Sequence, residues 1–194
     1  MSCFRELMAR KKKYIEEEVI EKAMALFWQT GYETTSMQML EREMGINKFS
    51  IYASFGSKSG VFLECIKCYK KKLNQIIIPL KNAANGIEGL KQYFYDFIAF
   101  SRDTHTGKGC LITNTANELP EDADPKIKAE LSKFTEEIRE HFANALRQNT
   151  TDDALTIEKQ ADYFIISMFG LASASRVFQK NQLDNYIESI FKNV

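Results

Sequence analysis

Apolar positions recur every three or four residues along nearly the whole chain, the period of helices that each bury one stripe. From Tyr14 to Gln29 the stripe is Val19, Ile20, Ala23, Met24, Leu26 and Phe27, and Gly31 closes it. Met37, Leu40 and Met44 form a second, shorter stripe, and Ile51 and Phe55 a third. Ser57 and Lys58 open a long helix carrying Val61, Phe62, Cys65, Ile66, Tyr69, Leu73, Ile76 and Ile77, which Pro79 is expected to end or kink. After the break at Asn82 to Gly86, an aromatic stripe follows: Leu90, Tyr93, Phe94, Phe97 and Ile98. A short helix is expected from Cys110 to Leu119, and Asp124-Pro125 is an N-cap with proline at the first helical position. That cap leads into Ile127, Leu131, Phe134, Ile138, Phe142 and Ala145. Thr156 starts a helix whose later half is small-sided (Gly170, Ala172, Ser173, Ala174, Ser175), and a last helix runs from Leu183 to Phe191. With nine Gly, three Pro and no long alternating run, the pattern predicts an all-α fold of about nine helices.

The two short stripes near residue 45 carry the chemistry. Thr35 and Gln38 have capping-box spacing, so Thr35 is the expected cap of the first helix. Gly45 suits a left-handed C-terminal cap, and Asn47 suits the N-cap of a second helix. Ile51 and Phe55 must face the first helix, leaving Lys48, Phe49, Tyr52 and Ala53 opposite. Two short helices on a glycine turn fit a helix-turn-helix whose second helix enters the major groove. At Ser57 and Lys58, amides, a helix dipole and a lysine converge where a phosphate would lie. A plain helical hairpin with solvated Lys and Tyr is the other reading of this stretch.

The run Thr34-Thr35-Ser36, Gly45-Ile46-Asn47-Lys48, Ile51-Tyr52 and Phe55-Gly56-Ser57-Lys58, preceded by Gly31-Tyr32, resembles the DNA-binding domain of the TetR family of bacterial regulators. The resemblance covers about fifty residues. It implies that Thr35, Ser36, Tyr52 and Lys58 hold phosphates, that Lys48, Phe49 and Ala53 face bases, and that Ser50 belongs to the same DNA-binding set. Glu41 departs from the pattern, standing where the family has a small or apolar residue; it could tilt outward or pair with Arg42 or Lys48. The implied architecture is a three-helix helix-turn-helix domain, residues 1–57, joined to a larger helical effector-binding and dimerisation domain, residues 58–194.

Charge agrees modestly with this division. Residues 1–72 hold 13 Lys and Arg against 9 Asp and Glu, leaving 13 against 17 in residues 73–194. The run Arg10-Lys11-Lys12-Lys13 could be a basic arm for phosphates or the minor groove, or a solvated helix start. No segment has the apolar length of a membrane span and the start lacks a signal-peptide core, so a cytoplasmic protein with no membrane partner is expected. Cys3, Cys65, Cys68 and Cys110 are then reduced thiols. Cys65 and Cys68, on one helix without a second pair or nearby His, read as small buried apolar groups. His105 and His141 fit no metal spacing, and no catalytic or nucleotide-binding motif occurs, so neither metal, cofactor nor enzymatic activity is expected.

The resemblance further implies a homodimer through the two C-terminal helices, a near-palindromic double-stranded operator and release by a small-molecule effector, with repression the expected outcome. Phe94, Phe97, Cys110, Phe134, Ile138, His141 and Phe142 are the candidate effector pocket, which points to an apolar or aromatic molecule. Cys110 follows Gly107-Lys108-Gly109 near a helix start, where a lysine and the dipole favour thiolate. Gly109-Cys110-Leu111 is also similar to the start of the sixth helix in a TetR subgroup that includes electrophile sensors; a buried inert thiol is the other reading. Two rival functions remain: a TetR-like coregulator that binds a protein instead of DNA, and an enzyme on a helical scaffold. Operator sequence and effector identity are not written in the residues.

Overall fold

The computed structural model describes residues 14–102, 108–148 and 151–192. Among these residues all regular structure is helical: α1 (Glu16–Thr30), α2 (Met37–Met44), α3 (Lys48–Phe55), α4 (Lys58–Lys81), α5 (Gly86–Ser101), α6 (Leu111–Glu118), α7 (Pro125–Leu146), α8 (Ala154–Ala174) and α9 (Lys180–Ile190). Side-chain caps define most of the starts: Asn47 for α3, Ser57 for α4, Asn85 for α5, Asp124 for α7 and Asp153 for α8.

One local expectation is corrected and one refined. The cap of α2 is Ser36, whose side chain accepts from Met39 N–H, not Thr35. Thr35 instead turns inward, 1% exposed, donating to the Gly31 carbonyl at 2.6 Å and sharing a bond with Thr30 Oγ1 at 2.7 Å. α4 runs past Pro79 and ends two residues later, at Lys81, in the turn that the proline occupies. In the small-sided stretch of α8, Ala172 and Ser175 are buried inside the protomer, while Gly170 and Ser173 are exposed.

α1 to α3 form an N-terminal lobe, α5 to α9 the body, and α4 belongs to both. Its first half meets α1 through Phe27 and Phe62, ring centroids 5.0 Å apart, and through Cys65, whose thiol donates to the Ile20 carbonyl at 3.7 Å. At its middle Tyr69 meets both lobes, Trp28 of α1 at 5.2 Å and Phe134 of the body at 6.2 Å. The buried apolar residues of both lobes make one contiguous core. Arg139 binds α7 to α8 through Glu158 at 2.8 Å and Asp162 at 2.6 Å, and Arg147 adds Glu158 at 2.8 Å.

Candidate nucleic-acid interface

α3 is held at both ends of its preceding turn. Gly45 is left-handed (φ 66°), and its N–H donates to the Glu41 carbonyl at 3.1 Å. The Glu41 carboxylate then accepts from Lys48 N–H at 2.9 Å, and Asn47 Oδ1 accepts from Ser50 N–H at 2.8 Å. Glu41 therefore neither tilts away nor pairs with a side chain; it caps α3. Two first-turn amides of α3 are thereby satisfied within the protein. Ile51 is buried against the lobe, whereas Phe49 is 82% exposed and Tyr52 47% exposed. Lys48 and Ala53 are also exposed and Ser50 is half-buried, so the predicted set lies around one short helix.

The start of α4 is organised by the α1–α2 turn. Lys58 Nζ donates to the Glu33 carbonyl at 3.2 Å and sits 4.5 Å from the Tyr32 ring centre. Burial lowers its pKa, opposed by the nearby Glu33 and Glu118 charges. One of its three N–H groups is engaged there, while Ser57 and Ser36, the exposed caps of α4 and α2, accept from Gly60 N–H at 3.1 Å and Met39 N–H at 3.2 Å. Thr35, by contrast, has its hydroxyl turned into the protein, which leaves Ser36 as the outward hydroxyl of that pair.

Residues beyond the motif tie this lobe to the body. Gly31 has φ 88°, and a Cβ there would lie 2.6 Å from both carboxylate oxygens of Glu118. Glu118 Oε2 also accepts from Glu33 N–H at 3.2 Å. At the other end of α6, Trp28 Nε1 donates to the Gly109 carbonyl at 3.1 Å, and Lys108 Nζ stands 5.5 Å from the indole centre. The segment from Gly109 to the end of α6 therefore meets α1 at Trp28 and the α1–α2 turn at Glu33. No periodicity marks Glu118 or Trp28 as such contacts, because both are made between segments distant in sequence.

The candidate effector residues divide into two packed groups. Phe94 meets Phe142 at 6.0 Å, Phe164 at 5.9 Å and Phe191 at 5.4 Å, while Tyr93 bridges Phe97 at 6.3 Å and Phe142 at 5.3 Å. Phe134 lies instead with Tyr69, whose hydroxyl donates to Cys110 Sγ at 3.3 Å. Burial, then the neighbouring Cys110, raises the Tyr69 phenol well above its ordinary pKa. Ile138 is buried; His141 is half-buried at the edge, its pKa lowered by burial and by Lys81. Phe94, Phe97, Phe134 and Phe142 therefore pack as core. A cleft of about 730 Å³ lies elsewhere, where α1, α4 and α5 meet, with Trp28, Phe100, Met24 and Lys108 in its wall.

Cys110 precedes α6 as its N-cap residue and is buried. Cys65 is buried and Cys68 half-buried, and burial raises both thiol pKa values, the first strongly. Among the described residues no cluster of three His, Cys, Asp or Glu could hold a metal, and no helix is long and apolar enough to cross a membrane. The basic run Arg10 to Lys13, Cys3 and His105 lie outside the described residues.

On α8 and α9 an apolar surface remains uncovered. Ile166 is 71% exposed, and Tyr163, Val177, Phe178 and Tyr186 are exposed with it. Leu171, Ala174, Phe178, Leu183 and Tyr186 line a groove of about 370 Å³ there.

Comparison with known proteins places the whole arrangement. Residues 19–65 match the model of bacterial regulatory proteins of the tetR family, and residues 86–190 match a tetracyclin repressor-like C-terminal domain. The uncharacterised HTH-type transcriptional regulator YezE of Bacillus subtilis (strain 168) is 28% identical over 141 residues, 72% of each chain. IcaR of Staphylococcus aureus (strain Newman), a negative transcriptional regulator of the biofilm operon icaADBC, is 26% identical over 68% of this chain and 78% of its own. A cysteine-substituted CifR, a TetR family regulator solved with 26-base-pair operator DNA, superposes with a TM-score of 0.86 at 23% identity, over 95% of this chain and 99% of that one.

Proposed function

The chain belongs to the TetR family of bacterial regulatory proteins, and from that premise we propose that it represses transcription as an effector-released homodimer. It is a DNA-binding transcriptional regulator and not an enzyme. The observation that carries the reading is the outward face of α3, where Lys48, Phe49, Tyr52 and Ala53 stand free of the core on a helix capped from behind by Glu41. Lys48, Phe49, Ser50 and Ala53 are assigned to base edges or their immediate flank, and Ser36, Tyr52 and Lys58 to phosphates. Thr35 supports the turn from inside. Residues 1–57 serve as reader and 58–194 as effector and dimer body, acting in the cytoplasm.

Two readers placed about one helical turn apart, or a multiple of it, require a two-fold partner. The apolar surface of α8 and α9 supports pairing through these helices, with Ile166 and Tyr186 on the joining face. An apolar or aromatic effector is assigned to the body among Phe94, Phe97, Phe134, Ile138, His141, Phe142 and Cys110. Because those rings pack on one another, it must bind a form of the body in which they separate. Its influence equals its differential affinity for that form. The contacts of Glu118 with the α1–α2 turn and of Trp28 with Gly109, just ahead of α6, supply a route from the body to the reader. Burial of Cys110 under Tyr69 favours the inert thiol over the electrophile sensor. If Cys110→Ser responds to the effector as the parent does, the sensor is excluded.

Selection of bound fragments from random duplex DNA by the purified chain tests the function directly. A palindromic consensus whose binding weakens steeply with salt is expected. Absence of any enrichment at low salt would transfer the assignment to the protein-binding coregulator.

A further inference from the structure

We propose that Phe49 reads the 5-methyl group of thymine, and so sets an obligatory T·A pair in each operator half-site. The inference rests on the assignment of α3 as the reading helix. Phe49 is the most exposed of the large apolar side chains described, 82% against 47% for Tyr52, and lies in the first turn of α3. A single exposed apolar residue needs no explanation by itself. Its surroundings supply one. Phe49, Tyr52 and Ala53 fall at i, i+3 and i+4, so they share one face, opposite buried Ile51.

The chemistry of the groove then narrows the partner. Base edges in the major groove offer hydrogen-bond donors and acceptors and one apolar group, the thymine methyl. A benzyl side chain can form no hydrogen bond with the polar edges, and placing it over them would strip water from groups left unpaired. Against a methyl group it gains contact instead. The amides on either side of Phe49, those of Lys48 and Ser50, are occupied by Glu41 and Asn47, which fixes the first turn that carries the ring. Lys48, beside it in sequence, would supply the hydrogen-bonding half of the reading at a neighbouring pair.

The test uses the full chain and the duplex it selects from random DNA, with each thymine of the half-sites replaced in turn by deoxyuridine, which lacks only the methyl. At one thymine position per half-site the replacement should weaken binding about four-fold, and about fifteen-fold when made in both half-sites. Phe49→Ala should bind the unmodified duplex correspondingly more weakly and become indifferent to that replacement, with the salt dependence of binding unchanged. Phe49→Leu, which keeps an apolar tip, should retain sensitivity to the methyl. Since Phe49 lies outside the core, circular dichroism melts of both variants should match the parent. Deoxyuridine replacements without effect on the parent, or an equal effect on the parent and Phe49→Ala, would overturn the inference while leaving α3 as the reader. Failure to select any duplex would overturn the reader and this inference together. Unaltered affinity and sequence preference in Phe49→Ala would point to a protein partner for that ring and would also overturn it.

Discussion

Glu41 holds the turn of the reader twice, by its carbonyl on Gly45 N–H and by its carboxylate on Lys48 N–H. The second contact joins a negative charge to the positive end of α3, the arrangement that stabilises a helix start. Glu41→Ala should lower unfolding stability by about 1 kcal/mol in a urea titration and weaken DNA binding further, through disorder of the first turn of α3. Side chains on the outward face should separate by role: Lys58→Ala and Tyr52→Phe should weaken binding to every sequence, and Lys58→Ala should flatten the salt dependence by about one ion. Lys48→Ala should also relax base preference, read by repeating the selection. His141 adds a pH dependence of its own. Its folded pKa is depressed by burial and Lys81, so the unfolded chain takes up more protons as pH falls below the ordinary histidine value. Stability contributed by neutral His141 is complete above that value and is lost as pH falls toward the folded pKa. Thermal melts of His141→Gln should depend less on pH than the parent's as pH falls below the ordinary histidine value.

At the scale of elements, the hydrophobic period located the long helices among the described residues, because a stripe at three- and four-residue spacing is a local property of sequence. Neighbouring caps were less legible. Thr35 and Ser36 are both good capping residues, and the choice between them is made by Thr30 and Gly31, which draw the Thr35 hydroxyl inward. Pro79 marked the end of α4 to within two residues, since the helix stops at Lys81 in the same turn. In the body, an aromatic stripe shows only that rings are buried, and ring-on-ring packing of Phe94 with Phe142 and Phe164 satisfies it without an open pocket. The family resemblance supplied the DNA-reading face of α3, which periodicity alone could not distinguish from any solvated helix face. Contacts between segments far apart, such as Glu118 on the α1–α2 turn, left no local trace at all. Gly31→Ala should expose that one: φ 88° is strained for any side chain, and the added Cβ meets the Glu118 carboxylate. We expect a loss above about 1 kcal/mol in denaturant unfolding. Gly31→Ala combined with Glu118→Ala should recover only the steric part.

For the molecule as a whole, the open question of assembly falls on α8 and α9. Ala172, a small residue in the expected joining stretch, is 0% exposed within the protomer, so altering it tests folding instead of pairing. Ile166 is the informative position. Ile166→Lys should give monomers by light scattering, with melting little changed, and should abolish tight operator binding because one reader covers only one half-site. A dimer surviving Ile166→Lys would move the interface elsewhere.

α4, common to both lobes, also dictates how such a regulator can be recombined with its relatives. A chimera joined between Ser57 and Lys58 looks natural on a map of functions, yet it hands Val61, Phe62 and Cys65 to a stranger, although Phe27 and Ile20 of the original reader are shaped around them. A join between Ile66 and Tyr69 keeps those partners together and transfers Tyr69 with Phe134 and Cys110. Of two hybrids with the same foreign body, the later join should melt higher and retain the operator preference of the donor reader. The unit of inheritance for DNA specificity is then three helices and the first two turns of a fourth.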